Sequence, residues 1–163
     1  MLETWAENII HVGPLGAGHK IKLINNFISL SYAATFAEAF TAAAKTGVPL
    51  EKLHEVVSAG GMNSIFFQNM CKWIIGRDPK AHEFTLANCR KDIGYFNQMA
   101  DAAQLTTVLS SAVQQSYTMA LAMGRGDKHM PMLADAVANF NGIDLDKKPK
   151  KAKAKARKKP KKK

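Results

Sequence analysis

The chain lacks the features that mark disulfide-rich, metal-binding and membrane-spanning proteins. Its 163 residues include two cysteines, Cys71 and Cys89, which fit no metal-ligand or redox spacing, so we expect reduced thiols in an intracellular protein. No apolar run approaches the roughly 18 residues of a membrane span. The first residues contain acids and no basic region, which argues against a secretory signal, and they lack the Arg and Ser bias of a transit peptide. These absences predict a soluble, cytoplasmic protein with no metal site and no membrane contact.

Signals for β-structure are almost missing. Residues 9–12, with the sequence Ile-Ile-His-Val, have the composition of a short strand that ends at Gly13. No other convincing strand exists to pair with it, and a lone strand leaves its backbone groups unpaired. Either the segment pairs with something outside this chain, or it is not a strand here. The sequence also shows no alternation of strands and helices and no G-x-G-x-x-G after a strand, so no Rossmann domain is expected within it.

Acidic residues are absent from residues 147–163, which hold 12 of the 23 lysines and arginines. The 146 residues before them carry 11 basic and 13 acidic residues, so the net charge of +10 comes from this segment alone. A run of Lys, Ala, Pro and Arg cannot bury apolar surface, and we predict a disordered tail over residues 143–163. Such a tail would bind nucleic acid weakly and without sequence preference. A solubilising extension is the alternative.

Helical patterns fill the rest of the chain. We predict helices over about residues 18–46, 50–58, 64–76, 85–103, 107–123 and 130–139. The first runs for about 28 residues, and Gly47 followed by Pro49 ends it. Phe, Met and Leu residues spaced three and four apart are expected to form the core. The pattern predicts an all-α bundle with a long spine helix.

The most informative segment is a glycine-rich turn that runs into the first predicted helix. Its pattern is G-x-x-G-x-G-x-x-x-K-x-x-x-N, from Gly13 to Asn26. Gly18, Lys22 and Asn26 are four residues apart, so they stack along one ridge of the helix. A mobile ammonium and an amide, beside a backbone that can be approached closely, can hold and protonate a polar oxygen. The order of the glycines differs from that of the dinucleotide-binding fingerprint.

This segment, followed by Phe84 and by Lys91-Asp92, resembles the β-hydroxyacid dehydrogenases, which include 3-hydroxyisobutyrate dehydrogenases and semialdehyde reductases. The resemblance covers about residues 8–142 and implies a fold like the C-terminal domain of 6-phosphogluconate dehydrogenase. In such enzymes a Rossmann domain comes first, and it is absent from this chain. We therefore expect a remnant of an interdomain strand over residues 1–12, a helical catalytic and oligomerisation domain over residues 13–142, and the tail.

The resemblance implies an NAD(P)-dependent oxidoreductase that interconverts a 3-hydroxy acid and its semialdehyde by hydride transfer. Reduction of an aldehyde leaves an alkoxide that must be protonated, and Lys22 matches the family's general acid/base. Asn26 is expected to orient Lys22 or to bind substrate. The backbone at Gly16 and Gly18 is expected to approach a substrate carboxylate, which a helix N-terminus also favours.

Phe84 and Lys91 are implied to face the NAD or NADP cofactor. They are seven residues apart and are expected to share one helix face. Asp92 is expected to orient a neighbour or to cap locally. The five histidines show no ligand spacing and are expected to be structural or surface residues: His11, His19, His54, His82 and His129.

The family's members pair through this domain, so a homo-dimer or tetramer is expected, with a small carboxylate-bearing hydroxy acid or semialdehyde as the ligand. The chain is interpreted as the C-terminal part of an enzyme, and the 163 residues alone are not expected to turn over substrate. The alternative is a non-catalytic helical interaction domain with a basic nucleic-acid-binding tail. That alternative would tolerate the loss of Lys22.

Overall fold

The computed structural model describes residues 7–146, which contain helices and no strand. The helices are α1 (Ala17–Thr46), α2 (Leu50–Ala59), α3 (Ile65–Ile74), α4 (Leu86–Ala102), α5 (Val108–Ala122) and α6 (Leu133–Phe140). A 3-10 turn over Met130–Met132 leads into α6. The predicted all-α fold is confirmed. Residues 1–6 and 147–163 lie outside the described residues, so the predictions of a disordered tail and of nucleic-acid binding by it stay predictions.

The spine helix α1 spans 30 residues and packs against each of the other five α-helices. It begins after Gly16, at φ 90°, and ends at Gly47, at φ 81°. Side chains with a Cβ rarely adopt this left-handed backbone, so glycine suits both ends. The Val48 N–H then bonds to the Ala43 carbonyl at 2.9 Å and closes the last turn.

The hydrophobic core surrounds the second half of α1. Its largest fully buried apolar side chains come from every α-helix except α2, and from the 3-10 turn: Leu30, Phe40, Phe67, Met70, Ile74, Leu86, Ile93, Tyr117, Met130 and Leu133. The Tyr117 hydroxyl donates to the Leu30 carbonyl at 2.9 Å, which satisfies a buried polar group inside this core. The second half of α1 is thus held by packing on several sides.

Helix α4 starts where a side chain caps it. The Thr85 hydroxyl accepts a hydrogen bond from the Asn88 N–H at 3.3 Å, so the helix begins at Leu86. The residue before the cap, Phe84, is held outside the helix because its carbonyl accepts from the Met130 N–H at 2.7 Å. This contact fixes the loop ahead of α4 against the 3-10 turn.

The two ends of the described chain lack regular secondary structure. Within residues 7–146 the segment 8–13 forms no strand, and the pairing of residues 9–12 with a segment outside this chain stays a prediction. Residues 143–146, assigned from sequence to the tail, contact the bundle. Leu145 packs on the core, and Asp146 Oδ1 lies 2.6 Å from Arg77 Nε.

Candidate active site

A cleft of about 510 Å³ lies beside the first half of α1. Helices α1 and α4 and the loop before α4 supply its polar side chains: Lys22, Asn25, Asn26, Ser29, His82, Glu83 and Asp92. Its apolar side chains are Leu30, Phe66, Phe84 and Met130. A polar side and an aromatic side in one cleft of this size suit a small, partly apolar ligand with charged or hydroxyl groups.

Asp92 is the centre of the polar side. Its side chain is 7% exposed, on α4. Asn26 Nδ2 donates to its Oδ2 at 2.7 Å, and Lys22 Nζ lies 3.4 Å from the same oxygen. Lys91 Nζ lies 3.5 Å from Oδ1. A buried carboxylate is costly unless it is paired, and these three donors supply the pairing. The two donors on α1, Lys22 and Asn26, also tie α4 to the first half of α1.

Lys22 keeps its ammonium accessible. Its side chain is 63% exposed, although Nζ contacts the buried carboxylate of Asp92. One helical turn further on, Asn26 holds the same carboxylate oxygen and so fixes the anion against which Lys22 rests. The ammonium can therefore meet a ligand oxygen in the cleft without leaving its counter-ion.

The thiol beneath the site is inert. Cys89 lies three residues before Asp92 and is fully buried. Burial, and then the negative charge of Asp92, raise the pKa of the Cys89 thiol well above its usual range. Burial also raises the pKa of Cys71 to about 12. Both thiols remain protonated near neutral pH, so neither offers a thiolate nucleophile.

Lys22, Asn26 and Phe84 line the cleft together, but Lys91 does not. The expectation that Phe84 and Lys91 share a helix face is wrong, because the Thr85 cap leaves Phe84 in the loop before α4. Lys91 is on α4, half-exposed, and reaches the site through Asp92. Asp92 does act on its neighbours, as an acceptor that three side chains share.

The glycines of the turn lie before the cleft. Gly16 caps α1, Gly18 is in its first turn, and neither lines the cavity. Apart from adjacent residues and the backbone of α1 itself, no atom of residues 7–146 lies within 4 Å of the position that a Cβ would take at either glycine. The backbone is thus open to another molecule on that side.

The sequence predictions missed several cleft residues, among them four polar ones: Asn25, Ser29, His82 and Glu83. His82 and Glu83 lie in the loop before α4, and His82 was expected to be structural or on the surface. The His82 ring packs edge-on against Phe66, with ring centroids 6.1 Å apart. Burial, and then the nearby His129, lower the pKa of His82. No spacing rule connects a loop histidine to α1; its closeness to Phe84 was the available signal.

Within residues 7–146, no three His, Cys, Asp or Glu side chains are grouped as metal ligands would be. The same residues include no helix with the length and apolar character needed to cross a membrane.

Comparison with known proteins identifies the domain. The family described as "NAD-binding of NADP-dependent 3-hydroxyisobutyrate dehydrogenase" matches residues 16–137. L-threonate dehydrogenase of Haemophilus influenzae is 26% identical over 149 residues, which cover 91% of this chain and 48% of the relative. Cytokine-like nuclear factor N-PAC of Mus musculus is 30% identical over 119 residues, covering 73% of this chain and 22% of that protein.

Solved structures agree in fold. The 3-hydroxyisobutyrate dehydrogenase of Salmonella typhimurium has a TM-score of 0.75 at 26% identity, covering 82% of this chain and 47% of that one. The Mycobacterium tuberculosis enzyme, solved with L-serine, has a TM-score of 0.71 at 26% identity, covering 83% and 48%. The chain spans about half the length of the dehydrogenases it matches. The family's cofactor is NAD or NADP. The chain belongs to the β-hydroxyacid dehydrogenase family, of which it represents the helical NAD-binding part.

Proposed function

We propose that this domain provides the substrate-binding and proton-transfer half of an enzyme that interconverts a 3-hydroxy acid and its semialdehyde. The observation that carries the proposal is the accessible Lys22 ammonium in the cleft, resting on the buried Asp92 carboxylate that Asn26 also binds. The nicotinamide ring would supply or accept the hydride. The chain's own residues would bind the acid, hold it in place and move one proton.

Lys22 is the proton donor in the proposed reduction. Its Nζ gives a proton to the carbonyl oxygen as hydride reaches the carbon, and its positive charge stabilises the oxyanion that develops. In the oxidation, Nζ takes the proton of the substrate hydroxyl. Asp92 positions the lysine, and Asn26 fixes Asp92, so all three are needed for one geometry.

The substrate carboxylate is proposed to lie towards the start of α1. No side chain caps this end of the helix, and its first turn contains no acidic residue. The Ala17 N–H bonds to the Pro14 carbonyl at 3.0 Å, and the other N–H groups of the first turn and the positive end of the helix dipole favour an anion there. The open backbone at Gly16 and Gly18 would let a carboxylate approach closely.

The aromatic side of the cleft, together with the nearby Lys91, fits a nicotinamide cofactor. Phe84 is a half-buried aromatic wall of the cavity, and Phe66 adds a second ring. Flat aromatic surfaces suit a nicotinamide ring, and the half-exposed Lys91 ammonium beside Asp92 suits an anionic ribose-phosphate group. We propose that Phe84 and Lys91 hold the cofactor from this side, and that a Rossmann domain holds it from the other.

The exposed apolar residues of α1 fit the same proposal, because a second domain or subunit would cover them. Along its first half and just beyond it, an apolar row is exposed at intervals of three and four residues: Ile21, Ile24, Ile28 and Tyr32. We propose that a second domain or a second subunit covers this row in a cytoplasmic homo-dimer or tetramer. Sedimentation of the native protein would test the assembly, and a monomer at all concentrations would contradict it.

The test of the proposed activity is turnover by the native protein isolated from its cells, with NAD or NADP and a series of 3-hydroxy acids. Lys22→Ala is expected to lower kcat by about 100-fold or more. The control is Lys20→Ala, which removes an exposed lysine of α1 that does not line the cleft. Equal activity of the two variants would contradict the role of Lys22.

A second candidate function is a helical interaction domain that contacts nucleic acid through residues 147–163. The observations that favour it are the 12 positive charges of this segment and the match to a nuclear factor. Electrostatic binding of this kind falls steeply with salt. A gel shift that survives deletion of residues 147–163 would contradict it.

A further inference from the structure

The loop before α4 brings two polar side chains into the cleft that the proposed proton transfer does not use. His82 and Glu83 line the same cavity as Lys22, next to Phe84. Their place is fixed, because the Phe84 N–H bonds to the His82 carbonyl at 2.9 Å and the Phe84 carbonyl accepts from Met130. Polar groups on a fixed loop are suited to select a ligand.

The ring nitrogens of His82 are available to bind a ligand. Two other half-buried histidines have partners, since His54 Nε2 pairs with Gln68 Oε1 at 2.9 Å and His129 Nδ1 with the Pro79 carbonyl at 3.2 Å. Within residues 7–146 neither ring nitrogen of His82 has a hydrogen-bond partner, and its ring contact is to Phe66. A half-buried ring of this kind is stabilised by a ligand that offers it a hydrogen bond.

The charges in the loop decide which ligand group fits. Burial and the nearby His129 lower the pKa of His82, so the ring is neutral near pH 7, with one nitrogen that donates and one that accepts. Glu83 adds a carboxylate, which accepts hydrogen bonds and repels an anion. A hydroxyl group can donate and accept at once, so it matches this pair better than a carboxylate or a methyl group.

We infer that His82 and Glu83 bind a second hydroxyl group of the substrate, so that the cleft selects a small polyhydroxylated acid over an alkyl-branched one. The inference rests on the proposed function for the carboxylate and the reacting hydroxyl. A methyl group at this place would leave the half-buried His82 ring without a hydrogen-bond partner, whereas the exposed Glu83 would keep its contact with water. A site built to bind a hydroxyl rejects an analogue that lacks it for this reason.

Two probes that differ in one group test the selection. They are 2,3-dihydroxypropanoate and 3-hydroxy-2-methylpropanoate, which share the carboxylate and the 3-hydroxyl and differ by a hydroxyl or a methyl at C2. Each is titrated into the whole 163-residue chain while the imidazole NMR signals are followed. We expect the His82 signal to move with the dihydroxy acid, at an affinity about two- to tenfold higher than that of the methyl acid.

Variants assign the preference to the loop. His82→Phe keeps a ring against Phe66 and removes the nitrogens. The ratio of the affinity for the dihydroxy acid to that for the methyl acid should then fall to about one. Glu83→Gln, at an exposed position, tests the carboxylate without touching the packing. The matched control is His54→Phe, since His54 also packs on a phenylalanine, Phe67, but lies outside the cleft. It should keep the preference.

Failure of the inference and failure of the proposed function give different results. Equal affinity for the two acids, or no movement of the His82 signal with either, overturns the hydroxyl subsite. Lys22→Ala should lower the affinity for both acids by the same factor. If Lys22→Ala lowers neither affinity, the proposed role of Lys22 fails. A preference for the dihydroxy acid that His82→Phe abolishes would still support the hydroxyl subsite.

Discussion

The two halves of α1 belong to one helix but are covered very differently. Eight of its residues are buried, all within residues 30–43, whereas none is buried within residues 17–29. The second half lies in the core, beneath α4, α5 and α6. The first half presents Lys22 and Asn26 to the cleft and leaves an isoleucine row exposed.

This difference shows how one element serves the fold and the site. The packing of Leu30 and Phe40 fixes the direction of the helix, and the first half projects beyond them with the partly buried Leu23 and Phe27 packed against the core. An ammonium on the projecting half can stay accessible, which a proton donor needs. The cost is apolar surface that the described residues leave uncovered.

The largest effect should come from breaking the buried half. Phe40→Ala removes a ring that is 1% exposed and should lower the free energy of unfolding by about 3–5 kcal/mol. Ile24→Ala, at a residue 43% exposed in the first half, should cost about 1 kcal/mol or less. Urea denaturation of both variants measures the difference. Similar losses would contradict the division of α1.

Asp92→Ala should have the next largest effect, because Asp92 joins the first half of α1 to α4. Loss of the carboxylate leaves the Asn26 amide without its 2.7 Å partner and should cost about 1–3 kcal/mol. Asp92→Asn keeps an acceptor oxygen and should cost less. The two variants are compared by denaturation, and an unchanged midpoint for Asp92→Ala would show that the contact does not hold the helices together.

Substitutions of glycine should act in opposite directions at the two ends of α1. Gly47→Ala forces a Cβ into the left-handed backbone at φ 81° and should destabilise by about 1 kcal/mol. Gly18→Ala lies in helical backbone with open space around it and should stabilise by about 0.5 kcal/mol. Thermal unfolding distinguishes them. Loss of stability in Gly18→Ala would mean that the first turn is not ordinary helix.

The smallest expected effect is on the pH dependence of stability, through His82 in the loop beside the first half of α1. Since folding lowers the pKa of His82 below 6.5, protonation favours the unfolded chain. Its contribution to stability is complete above pH 6.5 and is lost as pH falls from 6.5 towards the lowered value. His82→Phe should therefore weaken the decline of the unfolding midpoint between pH 7 and pH 5, whereas His19→Phe, at an exposed residue of α1, should not. An identical decline in both variants would contradict the burial of His82.

Local signals predicted much of the fold. Gly47 and Pro49 mark the end of α1, and the starts predicted at about residues 64 and 85 lie at Ser64 and Thr85, which cap α3 and α4, because caps act within one turn. The spacing of Lys22 and Asn26 placed both on one ridge of α1. These features depend on neighbours in sequence, so the sequence alone could establish them.

The features that the sequence did not predict depend on contacts between segments that are distant in the chain. Asp92 is 66 residues from Asn26, and its burial follows from the packing of α4 on α1. Phe84 leaves the helix because the Met130 N–H, 46 positions along the chain, holds its carbonyl. His82 reaches the cleft through the same loop. Residues 9–12 have a composition suited to a strand but no strand partner within residues 7–146.

The most direct test is to measure the free energy of unfolding and the turnover of Lys22→Ala in the same preparation of the native protein. Because Lys22 is 63% exposed, its ion pair should contribute about 1 kcal/mol or less to stability. We expect turnover to fall by about 100-fold or more while stability is kept. Retained turnover, or a loss of turnover accompanied by unfolding, would contradict the assignment of chemistry to the first half of α1 and of the fold to the second.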